Sequence, residues 1–277
     1  MASITCVVSE EDFLLACIKF RFLSSPLNHN TTNTRKERLA DKNMKNHRVV
    51  SRTEWLAVRA EHLAKEKEFT RLRDRLSQQR RDLPWVKVEK EYIFDSPTGK
   101  ETLADLFEER SQLVVYHFMF APDWDEGCPH CSFWADNFNG IGVHLNHRDV
   151  TMVAISRAPL AKLEAFKKRM GWSFKWVSSG NNDFNYDYHV SFTSEDLKKE
   201  VYYNYDRFKT DMSDREGASV FYRDEHGNVF HTYSSYSRGI DMLNTAYHYL
   251  DLVPKGRDET ELEFTQAWVR RHDEYGR

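Results

Sequence analysis

The sequence predicts an α/β protein in which a central mixed sheet is flanked by helices and preceded by a long N-terminal helix. Two near-continuous apolar runs, residues 113–120 and 150–156, are typical of strands buried on both faces of a sheet. Between them, Cys128-Pro129-His130-Cys131 opens a stretch with apolar residues at helical spacing. A charged segment without Pro or Gly precedes these features, and it predicts the long helix.

That first helix is predicted over residues 51–81. Ser51 or Thr53 can serve as its N-cap, and Glu54 follows in the first turn, where a negative charge is favourable. A narrow apolar stripe runs along it, made of Leu56, Leu63, Phe69, Leu72 and Leu76. The stripe fits either a helix lying across the domain surface or one that mediates a homodimer or another partner contact, and both alternatives stay open.

The elements after Pro84 alternate between strands and helices. Short strands are predicted at 86–88 and 92–94, a turn at 96–99 and a short helix at 102–108, before the first buried strand. The Cys-x-x-Cys helix should be long, because Trp134, Phe138, Ile141 and Leu145 share one face. After the second buried strand we expect a helix at 159–170, a short strand at 174–177, an irregular insertion at 181–205, a hairpin at 219–233 and a final helix at 239–252.

These elements divide the chain into four segments. Residues 1–34 are predicted to be a poorly structured extension, 35–83 a charged helical segment, 84–253 the α/β domain, and 254–277 a charged, loosely packed tail. The extension has acidic residues before its apolar run, which argues against a secretory or mitochondrial signal. Four cysteines are too few for a disulfide framework, so a reducing cytoplasm is expected.

The order of strand, Cys-x-x-Cys helix, strand, helix, hairpin and helix is that of a thioredoxin-like domain. Beyond this order, the chain resembles the DUF899 family, thioredoxin-like proteins of largely undetermined activity that are related to the peroxiredoxin (AhpC/TSA) branch. The resemblance covers roughly residues 50–258. It rests on Leu83-Pro84-Trp85-Val86, Gly127-Cys128-Pro129, Cys131-Ser132-Phe133-Trp134-Ala135-Asp136, Ser156-Arg157-Ala158-Pro159-Leu160, Arg169-Met170-Gly171-Trp172, Phe230-His231-Thr232-Tyr233 and the region 241–258. It implies the fold well and the chemistry poorly.

Cys128 and Cys131 are the candidate catalytic residues. The unpaired N–H groups at the start of a helix stabilise a thiolate on the first cysteine, and the second can resolve a mixed disulfide. A protonated His130 would lower the pKa of Cys128 further. We therefore expect Cys128 to be the more exposed, lower-pKa thiol and Cys131 its buried partner. Thiol chemistry of this kind needs no cofactor, and its substrate would be a small molecule or a thiol.

Two departures from related oxidoreductases weaken this interpretation. Thioredoxin-like oxidoreductases carry a cis-proline beside the cysteines, but here Gly217-Ala218-Ser219 occupies that place and no proline lies between Pro159 and Pro254. Peroxiredoxins have an arginine where Gly217 stands and a threonine shortly before the cysteine, where Asp125-Glu126-Gly127 occurs here. Neither activity can be transferred directly.

A metal site is the second hypothesis. Cys128, Cys131 and His231 form a possible soft-metal set suited to copper, with a copper-dependent oxidoreductase as the implied function. The other candidate histidines are His189, His144 and His147. His144 and His147 fit a different role, capping the end of a helix near its negative pole. An aromatic pocket formed by Trp172, Trp176, Tyr186, Tyr188, Tyr202, Tyr203 and Tyr205 is a further possibility, with ordinary core packing as its alternative.

Composition limits the partners. Lys and Arg number 40 against 43 Asp and Glu, a net charge of −3, which gives no general case for nucleic-acid binding. No run of 18 apolar residues exists, so no membrane span is expected. The sequence leaves three alternatives: a thiol oxidoreductase, a copper protein, or a non-catalytic module that binds partners through its long helix.

Overall fold

The computed structural model describes residues 47–276, in which a long helix leads into a sheet of eight strands. The helix, α1 (Arg52–Arg81), begins where the sequence predicts it: the Ser51 side chain accepts a hydrogen bond of 3.2 Å from the backbone N–H of Glu54. The predicted extension 1–34, with Cys6 and Cys17, lies outside the described residues. Within the described part of the chain, no helix is both long and apolar enough to cross a membrane.

The sheet is mixed, as predicted. The strands are β1 (Val86–Lys87), β2 (Ile93–Ser96), β3 (Gly99–Thr102), β4 (Gln112–His117), β5 (Val150–Ser156), β6 (Lys175–Ser178), the separate pair β7 (Val201–Tyr203) and β8 (Asp206–Phe208), then β9 (Gly217–Arg223) and β10 (Val229–Tyr236). The eight strands of the sheet lie in the order β1-β10-β9-β4-β5-β6-β2-β3; β4, β5 and β6 are parallel to one another and the other pairs are antiparallel. Both predicted buried strands are therefore central, as neighbours β4 and β5.

Helices cover both faces of this sheet, which confirms the thioredoxin-like fold. They are α2 (Pro129–Ala135), α3 (Gly142–His147), α4 (Leu160–Arg169), α5 (Phe184–Asp187) and α6 (Thr245–Leu250), with 3₁₀ turns at Asp105–Phe107, Asp196–Lys198 and Ser237–Leu243. Because side chains alternate along a strand, β4 contributes Tyr116 to one core, with α2 and α4, and Val115 to the other, with Phe184 of α5. We call these the cysteine face and the rear face.

Two predicted helices are interrupted. The helix that starts at Cys128 ends at Ala135, and Gly140, at φ +84°, lies in the turn that separates it from α3. Ile141 is consequently exposed instead of buried. The predicted final helix is split at Asn244, whose side chain accepts a hydrogen bond from the N–H of Tyr247 and so starts α6 afresh.

The C-terminal tail is firmly packed, so the predicted loose packing of this segment is wrong. Residues 254–276, here called the strap, lie against the cysteine face. Val269 and Gln266 are only 1% and 3% exposed, and the Trp268 ring packs edge-on against Phe133 of α2 at 5.3 Å. By contrast, α1 has no buried side chain. The predicted segment boundaries and the homodimer through α1 stay predictions.

Candidate functional site

The cysteine pair lies at the junction between β4 and α2. After β4 the chain continues as the buried segment Phe118-Met119-Phe120, and the N–H of Cys128 donates to the Met119 carbonyl at 3.1 Å. Pro129 fits the first position of α2, where its missing N–H costs nothing. The Cys128 carbonyl then accepts from the Ser132 N–H and hydroxyl, each at 2.9 Å. These bonds fix the start of α2, and with it the two sulfurs, against the end of the strand.

The two thiols are free and differ sharply in acidity. Cys131 donates a hydrogen bond to the Cys128 sulfur and, despite burial, this bond and His130 hold the pKa of Cys128 well below its usual range. Burial and the negative charge of Cys128 raise the pKa of Cys131, whose sulfur also accepts the Met119 N–H at 3.4 Å. Both residues are buried, and Cys128, at 8% exposure, is the more exposed of the two, as predicted; Cys131 is 2% exposed.

His130 connects this pair with the strap. Its Nδ1 lies 4.0 Å from the Cys128 sulfur, and the backbone of Gln266 lies beside the same ring at the cavity. Burial alone would lower the pKa of His130, but the contact with Cys128, followed by the charge of Glu216 and the backbone of Gln266, outweighs it and raises that pKa. The arrangement therefore favours an imidazolium beside a thiolate, a charge-assisted pair.

A small cavity of about 20 Å³ opens beside the sulfurs, enough for one water-sized molecule. Its polar lining includes the buried Tyr116 hydroxyl, which lies beside the Cys131 sulfur, and the buried Thr265 hydroxyl, which has no hydrogen-bond partner among residues 47–276. The Glu216 carboxyl also lines it, and burial raises the pKa of that group. A buried hydroxyl without a partner is costly, so the Thr265 hydroxyl in the lining indicates a place for a small polar ligand.

Sequence reasoning missed most of this lining. Glu216 directly precedes the Gly217-Ala218-Ser219 segment that the sequence places beside the cysteines, so its position was a usable signal. Tyr116 lies in the predicted strand, but only the alternation of β4 assigns it to the cysteine face. For Thr265 and Gln266 the signal was weak: the apolar Phe264, Trp268 and Val269 interrupt an otherwise charged tail.

The copper set predicted from sequence is not assembled. His231 in β10 pairs with Phe221 of β9, and its ring contacts Tyr188 and Phe221 on the rear face. The sheet thus separates it from Cys128 and Cys131. Within residues 47–276 no three His, Cys, Asp or Glu side chains come together in a way that could hold a metal.

His231 instead ends a polar chain along the rear face. His117 Nε2 lies 2.8 Å from the Ser219 hydroxyl, which lies 2.8 Å from the Ser234 hydroxyl, and that in turn lies 2.7 Å from His231 Nε2. Burial first, and His231 second, lower the pKa of His117 to about 3. Both histidines therefore belong to a hydrogen-bonded interior, in keeping with a structural role.

The remaining candidates are scattered. His144 and His147 are exposed in the last turn of α3. His189, Tyr186 and Tyr202 line a second cleft formed by the insertion, whereas Trp172 and Trp176 belong to the core of the cysteine face. The aromatic residues considered from sequence therefore do not form one pocket.

Comparison with known proteins places the chain in context. A family model described as "Bacterial protein of unknown function (DUF899)" matches residues 44–275. No curated protein sequence matches the chain. Similar solved structures include peroxiredoxin Q from Xanthomonas campestris (14% identity, 56% of this chain and 85% of that chain covered, TM-score 0.39). Another is the peroxidoxin BcpB from Mycobacterium tuberculosis (15% identity, 59% of this chain and 94% of that chain covered, TM-score 0.38). A third is a putative thiol:disulfide interchange protein DsbE from Chlorobium tepidum (12% identity, 60% of this chain and 94% of that chain covered, TM-score 0.37).

Proposed function

The chain belongs to the DUF899 family, and we propose that it is a thiol oxidoreductase that reduces a small hydroperoxide with Cys128 and Cys131. The observation that carries the proposal is the small cavity beside the Cys128 sulfur, a thiol whose pKa is lowered. The burial of Cys128 and the strap beside it restrict access by the disulfide of a folded protein, whereas a molecule close to the size of water fits beside the sulfur. A thiolate is the species that attacks a peroxide oxygen, and the lowered pKa of Cys128 favours that species.

The first step forms a sulfenic acid. The Cys128 thiolate attacks one oxygen of the hydroperoxide, the O–O bond breaks, and the other oxygen leaves as water or an alcohol after accepting a proton. His130, 4.0 Å from the sulfur, and the Glu216 carboxyl in the cavity wall are the groups placed to supply that proton. The sulfur loses two electrons and the peroxide gains them.

The second step closes a disulfide. Burial and the thiolate charge of Cys128 keep the neighbouring Cys131 protonated, and the contribution of that charge disappears when Cys128 becomes a sulfenic acid. Cys131 can then lose its proton and attack the Cys128 sulfur, which releases water and forms the S–S bond. A dithiol reductant returns the pair to the reduced state, two electrons per cycle. The resolving thiol is thus activated only after the first step.

Peroxide consumption with dithiothreitol as reductant tests the proposal. The wild-type protein should consume hydrogen peroxide catalytically, and Cys128→Ser should abolish turnover. Cys131→Ser should still complete the first step, so that dimedone labels Cys128 in stoichiometric amounts while turnover stops.

His144→Ala, at an exposed position of α3, should behave as wild type. If peroxide leaves Cys128 unmodified while oxidised dithiothreitol forms the Cys128–Cys131 disulfide, the activity is thiol–disulfide exchange and the peroxide proposal is wrong.

A further inference from the structure

The strap contributes to the site directly, although it contains no regular element. Gln266 lies in the left-handed region at φ +69°, a conformation that a non-glycine residue adopts only when its surroundings hold it there. Its backbone lies beside the His130 imidazole, and both residues line the cavity. Next to it, the Phe264 ring packs edge-on against the imidazole at 6.3 Å, and the neighbouring Thr265 lines the cavity.

Glu259 holds this part of the strap in place. A single carboxylate oxygen of Glu259 accepts three hydrogen bonds: from the Gln266 N–H at 3.1 Å, the Trp268 indole N–H at 2.6 Å and the Tyr247 hydroxyl at 3.0 Å. Tyr247 belongs to α6 and packs edge-on against Phe133 and Trp134 of α2. Glu259 therefore links Gln266 to the same helix that carries His130 and the cysteines.

A second attachment lies beside the first cysteine. The Arg271 guanidinium donates two hydrogen bonds, of 3.1 and 2.8 Å, to the carbonyl of Gly127, the residue before Cys128. Arg169 of α4 is paired with Asp273 and Glu274 farther along the strap. Gln266 is thus fixed from both sides, through Glu259 before it and through Arg271 after it.

We propose that Glu259 is a positioning residue of the redox site: it holds the backbone of Gln266 against His130, and His130 thereby keeps the orientation in which it faces the Cys128 sulfur. The strap is then part of the machinery that stabilises the thiolate as well as a cover. The proposal rests on the assignment of Cys128 as nucleophile. The other titratable groups facing this pair are Cys131, Tyr116 and Glu216, and Arg271 is the charged group of the strap beside it.

The test is the pH dependence of Cys128 alkylation by iodoacetamide, read on the Cys128 peptide by mass spectrometry. Glu259→Ala should shift the midpoint upward by about 1 unit, because a less well placed imidazolium stabilises the thiolate less. It should also raise the plateau rate at high pH, because the loosened strap admits the reagent. Glu261→Gln, at an exposed position of the strap, is the matched control and should change neither quantity.

Two further variants separate positioning from simple cover. If Glu259 acts through His130, then Glu259→Ala should not shift the midpoint in a His130→Gln background. Gln266→Gly keeps the backbone carbonyl and suits the positive φ, so it should retain the wild-type midpoint. A raised plateau with an unchanged midpoint in Glu259→Ala, or an equal shift with and without His130, would overturn the proposal.

Failure of the proposed function would look different. Alkylation needs no peroxide, so a protein that does not consume peroxide can still show the Glu259-dependent midpoint. If the Cys128 midpoint of the wild-type protein lies at the ordinary thiol value of about 8.5, the nucleophile assignment fails and the positioning role of Glu259 fails with it. Should Glu259→Ala not fold, Glu259→Asp serves instead, since it keeps the charge but cannot reach all three donors.

Discussion

Helix α1 and the strap lie at opposite ends of the described chain, and they relate to the domain in opposite ways. Both are rich in charged residues. Helix α1 is a regular element with a good N-cap but buries no side chain, and its one described aromatic contact with the sheet is Arg80 over the Tyr233 ring at 4.7 Å. The strap has almost no regular structure, yet it buries Gln266 and Val269 and reaches the cysteine site. Regularity of the backbone and integration into the fold are therefore separate properties.

The physical reason is the range of the interactions. Each turn of α1 is stabilised by hydrogen bonds and capping groups a few residues away, which suffice to specify a helix. The strap is held by groups far away in sequence, such as Gly127 for Arg271 and Arg169 for Asp273. Its conformation exists only in the presence of the folded domain.

Replacing a valine by aspartate in the strap and in α1 should give the largest difference in the free energy of unfolding. Val269→Asp places a charge at a site that is 1% exposed and should lower the free energy of unfolding by about 3 kcal/mol. Val58→Asp, at a position of α1 that is 56% exposed, should change it by less than about 0.5 kcal/mol. Urea unfolding followed by tryptophan fluorescence measures both, and equal effects would mean that the strap is not packed as described.

Acid should lower the free energy of unfolding through His117, which lies neither in α1 nor in the strap. This effect must be separated from any change in the strap. The folded pKa of His117 is about 3, below the ordinary value of about 6.5 that it has when unfolded. Between these values the unfolded chain binds more protons, so stability falls as the pH falls. From pH 6.5 to 5 the loss from His117 should be about 2 kcal/mol.

His117→Gln can keep the contact with Ser219 but cannot titrate. Its unfolding free energy should therefore depend less steeply on pH over this window, as urea titrations at several pH values would show. A slope equal to that of the wild type would mean that other groups dominate the acid response. In that case acid cannot be used to compare the strap with α1 without further variants.

Removal of α1 should have a smaller effect on stability. A chain that begins at Leu83 loses no buried side chain, so the unfolding free energy should fall by at most about 1 kcal/mol. Light scattering of the same pair of proteins tests the predicted homodimer: a dimeric full chain and a monomeric truncated chain would support it. If the full chain is monomeric and removal of α1 still lowers the unfolding free energy by much more than about 1 kcal/mol, α1 is integrated into the domain after all.

Arg80→Ala should produce the smallest change. The Arg80–Tyr233 contact is partly solvated, and such cation–π contacts contribute about 0.5–1 kcal/mol. We expect the unfolding free energy to change within that range. Protease cleavage near residues 82–84 should increase, because the contact is one of the few that orient α1. Arg75→Ala, at an exposed position of α1, is the control. If cleavage near residues 82–84 increases equally in Arg75→Ala, the Arg80–Tyr233 contact does not hold α1 against the sheet.

Most elements of the fold could be predicted from local pattern. The apolar runs identified β4 and β5, Gly227 at φ +83° lies in the predicted turn between β9 and β10, and the long helix lies where predicted. Errors occurred where the pattern continued across a break, at Gly140 and Asn244. Helical spacing persists through a turn, so the apolar positions alone do not show that the helix has ended.

The sequence by itself therefore determined the thioredoxin-like order of elements, helix α1 and the place of Cys128 and Cys131 at the start of a helix. These depend on hydrophobic period, capping residues and turn residues, all of which act over a few positions. Only the tertiary structure decided which groups surround the sulfurs. It placed His231 behind the sheet, Glu216 and Tyr116 in the cavity wall, and Gln266 against His130. The alternation of side chains across strands, and contacts between residues more than a hundred positions apart, set these positions, and no local pattern encodes them.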